Sequence, residues 1–479
     1  MRGTVPTYLR PHVEQIEAYR REVFLDLYLR ASGERAITDR AIHGRYPELN
    51  DGRLFRAALD AGDLGYARAL ANLCLTSRLL DASDRLAAAQ LDIKVTLDGA
   101  EVGLGRASAA WASAATEDER RRIGAALAPG FERREVEQRR WLDAYGAARE
   151  ALGFDEQAAL IRAVHGDVSR WLDHAQRSLD ATRDVYLAEL REWRRRDGVG
   201  DSGPFTLQLL LGGVRVPAGG ASSDKAVRQT AAAWGFHEQA ERIPIDLVAR
   251  PGKLAGAMCA RIDPPRDVRV TSQPGGGLQE YTLLLHEFGH GLHFTTGPDR
   301  PFDVFGDDQS ISEGFGITFQ TAATEPAWLA QFVGVRLDDD AYARLRFAEL
   351  ARARHGAVHV LYEHRVFSGA DAQREFVDLY RRELGVEISP HLALTWMLFF
   401  LPLQPFYALH LHQAQTVRQA LWRRLSEVGG PTWYANDRCH ELLTDLFRSA
   451  CELDFDEVMA KLGVRDATTL VVRPGDEAT

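Results

Sequence analysis

Cysteine is scarce in this 479-residue chain: Cys74, Cys259, Cys439 and Cys451 are scattered, and no two form a CxxC pair. That spacing excludes a cysteine-built zinc site and argues against a disulfide framework, so reduced thiols in a cytoplasmic protein are the expectation. Nowhere do eighteen apolar residues run together, and the opening stretch MRGTVPTYLRPHVEQIEAYRREVF has no continuous apolar segment. Neither a membrane span nor a signal peptide is therefore expected. Positive charge is not in excess either. The 58 Lys and Arg face 68 Asp and Glu, for a net charge of -10, which removes the global electrostatic basis for holding nucleic acid or an anionic membrane. Arginine runs around Arg133 and from Arg191 to Asp197 lie among acids in helical patterns and read as solvated helix faces.

What is present is the mix of an ordinary soluble globular protein, 45% hydrophobic and 26% charged. From Tyr8 to about Arg196 apolar residues recur at three- and four-residue intervals, with breaks expected at Tyr46-Pro47, Asp51-Gly52 and Pro129-Gly130. No period of 34 to 45 residues recurs, so a helical repeat array is not supported. The segment from Arg196 to Pro204 reads as a linker and Pro217 to Lys225 as a surface loop. Between Ile243 and Ser272 short β-compatible runs, Met258 to Ile262 and Val268 to Thr271, predict a small sheet. Helical patterns resume after Glu313 and continue to about Leu462. The expected architecture is mainly α, with a helical lobe over 1–204, a catalytic region over 205–463 whose later helices contribute to both lobes, and a flexible tail over 464–479.

The stretch YTLLLHEFGHGLHF, Tyr281 to Phe294, places two histidines four apart with a glutamate directly after the first. In a helix, positions four apart differ by only about 40°, so His286 and His290 project from one face and can both reach one metal ion at the ~2.0–2.1 Å of a zinc–nitrogen bond. Glu287 is rotated by about 100° from His286, out of the ligand pair but placed to touch a metal-bound water. Tyr281, Leu284, Leu285, Phe288 and Leu292 gather on the opposite side. A core helix with incidental histidines is the plain alternative. Gly289 and Gly291 weigh against it, because each costs about 1 kcal/mol relative to alanine in a helix interior. They suit a backbone that another element or a substrate approaches closely.

A catalytic zinc site needs a third protein ligand. Glu313, in SISEGFGITFQ, lies 23 residues after His290. Its competing reading is the capping glutamate of Ser310-x-x-Glu313, and Gly314 and Gly316 favour close packing over a stable helix start. Asp303, Asp307 and Asp308 are the other carboxylates on offer, in a turn-like stretch. His293 reads as a packing or supporting histidine rather than a ligand.

HEFGHGLH, the preceding stretch from Arg250 to Leu285 and the following SEGFGITFQ together resemble the zinc metallopeptidases related to thimet oligopeptidase, neurolysin and oligoendopeptidase F, and more distantly angiotensin-converting enzyme. The likeness is strongest from Arg250 to Gln320 and continues weakly to about Leu421. It implies a two-lobed helical molecule with a deep central channel, one zinc ion held by His286, His290 and Glu313, and Glu287 as general base and proton shuttle. It also implies short peptides as substrates and a sheet edge at Met258 to Thr271 that pairs with the substrate backbone. The family's tyrosine-rich segment, which stabilises the oxyanion, matches Phe399 to Gln413. There Tyr407 falls on a family tyrosine. His410 stands where the principal transition-state tyrosine is expected, Phe400 where converting-enzyme-like relatives carry histidine, and Pro402 and Pro405 replace a glycine-rich loop.

The expected chemistry is zinc-dependent hydrolysis of peptide bonds, with zinc-bound water activated by Glu287 and the oxyanion stabilised by Tyr407 and His410. An imidazole can donate the hydrogen bond that a phenol would, so His410 either takes over that role or bonds a buried polar partner; His412, two residues on, lies on the other side of the helix. The alternative is a zinc-binding pseudoenzyme or peptide-binding protein of the same fold. A di-iron carboxylate protein is disfavoured because Glu287-x-x-His290 has no second E-x-x-H partner.

Overall fold

The computed structural model describes residues 5–35, 37–114, 116–200, 220–254, 256–273, 275–297, 305–401 and 404–470, with the backbone alone at Ala112, Ser113, Trp396, Phe399 and Phe400. Its principal helices are α1 (Val13–Ala31), α2 (Leu64–Asp92), α3 (Glu117–Glu150), α4 (Ser169–Asp197), α5 (Ser223–Ala233), α6 (Leu278–Thr296), α7 (Gln309–Ala322), α8 (Asp339–Phe367), α9 (Tyr407–Gly429) and α10 (His440–Ser449). Among the described residues five short strands accompany them: β1 (Lys94–Leu97), β2 (Ala100–Gly103), β3 (Ile245–Asp246), β4 (Ala257–Asp263) and β5 (Asp267–Ser272). The architecture is mainly α with a small sheet, as expected. No described helix is long and apolar enough to cross a membrane.

The chain forms two compact units, each assembled from separated stretches. One holds Met1–Leu70, Val214–Leu345 and His410–Thr479, the other Ala71–Gly213 and Arg346–Leu409. In the second unit the helical pattern is interrupted by a β1/β2 hairpin, paired from Lys94↔Gly103 to Leu97↔Ala100. Asp98 and Gly99 turn it with φ of 53° and 80°, the left-handed pair that a two-residue hairpin loop requires. The break expected at Pro129-Gly130 is not there: α3 runs through both residues. Gly130 is buried, and a Cβ on it would come within 2.7 Å of Val95 and Leu104 side chains. Close packing of the hairpin holds the helix across the amide that proline lacks. Thr116 caps α3 by accepting from the Glu119 N–H, and Gly198, at φ 60°, ends α4 behind Arg194, Arg195 and Arg196.

In the first unit, the two runs expected to form a small sheet are β4 and β5, which pair antiparallel in register from Ala257↔Ser272 to Arg261↔Val268. A third strand lies outside that expectation: β3 adds parallel to β5, giving the order β3–β5–β4 and leaving β4 at an edge. Helix α1 covers this sheet, packing Phe24, Leu25 and Tyr28 on Met258, Ala260 and Ile262. Helix α6 buries Leu284, Leu285, Phe288 and Leu292, each worth about 1.5–3 kcal/mol removed from water. Its neighbour α7 packs along it, and a Cβ on Gly289 would collide with the Phe319 ring. The spacing of α6 and α7 therefore depends on glycine at 289, the close approach the sequence suggested.

Candidate metal centre

Helices α6 and α7 bring His286, His290 and Glu313 together. Their ligand atoms all lie within 4.8 Å of one another, the one such grouping of three or more His, Cys, Asp or Glu among the described residues. His286 Nε2 stands 3.1 Å from His290 Nε2, Glu313 Oε2 3.5 Å from His286 Nε2, and Glu313 Oε1 3.9 Å from His290 Nε2. Atoms each ~2.0–2.2 Å from a tetrahedral zinc ion sit a little over 3 Å apart, so the donor set fits zinc with little movement. The other ring nitrogens are engaged: His286 Nδ1 lies 3.1 Å from Gln320 Oε1 and His290 Nδ1 2.9 Å from Ser312 Oγ. Such outer partners would turn the Nε2 atoms toward a bound ion. Gly316 makes room for this, since a Cβ there would lie 2.8 Å from the His286 ring.

The capping reading of Glu313 gives way, because the N-cap of α7 is Asp308, whose carboxylate accepts from the Ser310 N–H. Glu313 is left to face the histidines. Asp307 pairs with Arg261 and bonds the Gln309 side chain, so neither aspartate joins the grouping. Asp303 lies outside the described residues.

Glu287 is aimed by the sheet. Cys259, on edge strand β4, donates its backbone N–H to Glu287 Oε2 at 2.7 Å. Burial, then the nearby Glu313 charge, pushes the Glu287 carboxyl above its ordinary range against the opposing pull of His286 and the Cys259 N–H. Burial alone would lower the His286 imidazole, but the Glu313 hydrogen bond and the Glu287 and Glu313 charges leave it raised. Burial lowers His290 to about 3, which keeps its ring neutral, the form that ligates.

His293 is buried among Phe294, Phe315 and Phe447, with Ser312 Oγ 3.4 Å from its Nδ1. Burial lowers it to about 3, in keeping with a packing role. His410 is 1% exposed, and its Nδ1 is 3.5 Å from Asp308 Oδ1. Asp308 also pairs with Arg68 at 3.4 Å. Burial opposes its charge, yet the His410 hydrogen bond, Arg68 and Ser310 together hold the carboxyl well below the usual range. His410 thus has the buried polar partner that was the alternative to an oxyanion role, and His412 is buried as well. Tyr407 is buried at the start of α9, in the second unit. The Phe400 side chain and Pro402 lie outside the described residues; Pro405 contributes its carbonyl to a 2.7 Å contact with His165 Nε2.

Solved structures with this arrangement of helices include a protein provisionally named oligoendopeptidase F, with TM-score 0.64 over 96% of this chain and 86% of its own at 17% identity. Another of that provisional name, from Bacillus anthracis str. Ames, gives 0.54 over 97% and 89% at 16% identity. PZ peptidase A, solved with an inhibitor, gives 0.58 over 96% and 90% at 15% identity. The chain has the oligoendopeptidase F fold. No protein-family model and no curated protein sequence matches it. Sequence reasoning missed three parts of the centre within this oligoendopeptidase fold: the Cys259 N–H, Ser312 and Gln320. Ser312 directly precedes Glu313 in SISEGFGITFQ, and Gln320 lies seven positions after it, two turns along one helix face.

Proposed function

We propose that the protein is a zinc-dependent peptidase acting on short peptides, with one zinc ion per chain held by His286, His290 and Glu313. The observation that carries this reading is the convergence of those three donors beside a glutamate held by a backbone amide of an edge strand. Bound zinc supplies Lewis acidity toward a peptide carbonyl and acidifies water in the site. Glu287 then accepts a proton from the attacking water and returns it to the departing amine. The Cys259 amide keeps one carboxylate oxygen fixed while the other exchanges the proton. Edge strand β4 has no further strand on its outer side among the described residues, and an extended peptide can add there. His410, in the same unit as the centre, is the candidate donor to the oxyanion.

The burial of His410 against Asp308 favours one competing reading, a chain that holds zinc and peptide without turning the peptide over. Zinc titration of metal-free protein tests the centre itself. One equivalent should bind, and His286→Ala, His290→Ala or Glu313→Ala should each abolish tight binding. Unaltered zinc affinity in all three variants would remove the centre from this place.

A further inference from the structure

Donor atoms converge at a second place, within the other unit. His355 and His359 stand four apart in HGAVH on α8, the spacing that puts two imidazoles on one helix face a turn apart. Their ring centroids are 4.4 Å apart. Both Nε2 atoms meet one phenol: His355 Nε2 lies 2.7 Å and His359 Nε2 3.2 Å from the Tyr380 hydroxyl oxygen. All three residues belong to the stretch Arg346–Leu409 of the second unit.

A separate element brings in the phenol. Ala372–Leu379 is a short helix, and Tyr380–Leu384 continues it as one wider turn. The Phe376 ring, 4.3 Å from that of Tyr380 between centroids, fixes the phenol from its own helix. Tyr380 is 1% and His359 6% exposed, while His355 is partly buried and gives the cluster its solvent side. Burial lowers both imidazoles, which keeps the rings neutral, the form that ligates.

The single proton of the phenol can be donated to only one of the two nitrogens, whereas a metal ion can take a lone pair from each of three atoms. Donors about 2.0–2.1 Å from one ion stand about 2.8–3.4 Å apart between square and tetrahedral geometry, close to the two distances observed. Gly356 follows His355 where Glu287 follows His286. The pair is therefore suited to hold an ion, not to repeat the His286–Glu287–His290 arrangement.

We propose that His355 Nε2, His359 Nε2 and the Tyr380 oxygen form a second metal site, for a divalent transition-metal ion, with copper(II) bound tightest. Each imidazole gives a lone pair to the ion, and Tyr380 gives its oxygen as phenolate while the phenolic proton leaves to solvent. The ion bridges α8 to the turn that begins at Tyr380. The site does not depend on the peptidase reading.

Copper(II) is the probe, added to the full chain carrying His286→Ala and His290→Ala so that the first centre does not compete. One equivalent should bind tightly and release one proton. Its electron paramagnetic resonance spectrum should show nitrogen hyperfine lines from imidazole, and its visible spectrum a phenolate-to-copper charge-transfer band. Adding His355→Ala or His359→Ala should abolish tight binding. Tyr380→Phe should remove the band and the proton release, and weaken binding by at least about tenfold to a hundredfold, the cost of losing even an outer partner of a ligand. Circular dichroism checks that each variant is folded; should an alanine variant not be, His355→Gln or His359→Gln carries the same comparison. A folded chain that takes up no tight copper, or whose copper affinity is unchanged in the folded histidine variants, overturns the assignment. Tight copper with neither the band nor the proton release also overturns it.

Discussion

Cys259 donates its backbone N–H to Glu287 Oε2 across 2.7 Å, tying the glutamate of the HEFGH helix to the edge of the sheet. Because the bond comes from the main chain, it survives any change of the Cys259 side chain except to proline, which lacks the N–H. Glu287→Gln can still accept it, so that variant should retain zinc and lose a thousandfold or more in turnover, on the order of what positioned proton transfer contributes. Zinc content by atomic absorption and kcat on one peptide decide this, and appreciable turnover in Glu287→Gln contradicts the proton-transfer role.

The space at Gly316 sets the His286 ring. A Cβ there would stand 2.8 Å from the imidazole, so Gly316→Ala should displace the ring from Glu313 and Gln320. Zinc affinity is expected to fall by about tenfold to a hundredfold, as for loss of an outer partner of a ligand. Competition with a fluorescent chelator measures it, and wild-type affinity would show that the ring has room to move.

How much of this is legible in the sequence follows from how local each feature is. His286, Glu287 and His290 are fixed by one helical turn, and Glu313 by a second short motif, so their convergence is readable without the fold. The β1/β2 hairpin escapes a reading of periodicity although Asp98-Gly99 carries the turn signal, because the apolar spacing around it suits a helix equally well. Pro129 reads as a break, whereas tertiary packing on Gly130 carries α3 across it. Ser312, Gln320 and the Cys259 amide acquire their roles only when α7 and β4 dock on α6. The left-handed Phe406 is set by surrounding side chains, and nothing in its own identity announces it.

Asp308 joins the start of α7 to His410 and Arg68. Asparagine caps helices as well as aspartate does, so Asp308→Asn separates the charge from the cap. Removing one partner of a buried ionic group costs about 3–5 kcal/mol. The Asp308 carboxyl is held below its unfolded value, so its contribution is present above about pH 4 and is lost as the pH falls further. Urea unfolding should therefore show the largest gap between wild type and Asp308→Asn near pH 6, narrowing in strong acid; a gap independent of pH contradicts the charge assignment. His410→Ala should lower kcat more than it raises KM if the imidazole also reaches the oxyanion. An unchanged kcat assigns His410 to Asp308 alone.

Glu363 makes the opposite linkage prediction. Burial pushes its folded value up to about 8, above the ~4.3 of an unfolded glutamate, so the stability it lends is full below pH 4 and is lost as the pH rises toward 8. Glu363→Gln does not titrate. It should be more stable than wild type at pH 8 by a few kcal/mol, since a raised carboxyl loses at most ~1.4 kcal/mol for each pH unit between its unfolded and folded values. The difference should shrink toward pH 5. Thermal unfolding at the two pH values measures this, and equal gaps would mean that the Glu363 carboxyl is not raised in the folded state.

The central claim, that His286, His290 and Glu313 hold a zinc ion with which Glu287 hydrolyses peptides, meets its most direct test in a quenched-fluorescent peptide library. The purified chain should be assayed as isolated, after chelation, and after one equivalent of zinc is restored. The account predicts cleavage that chelation abolishes and zinc restores, absent in Glu287→Gln at equal zinc content. Stoichiometric zinc with no cleavage of any library member, or cleavage indifferent to chelation, would contradict it.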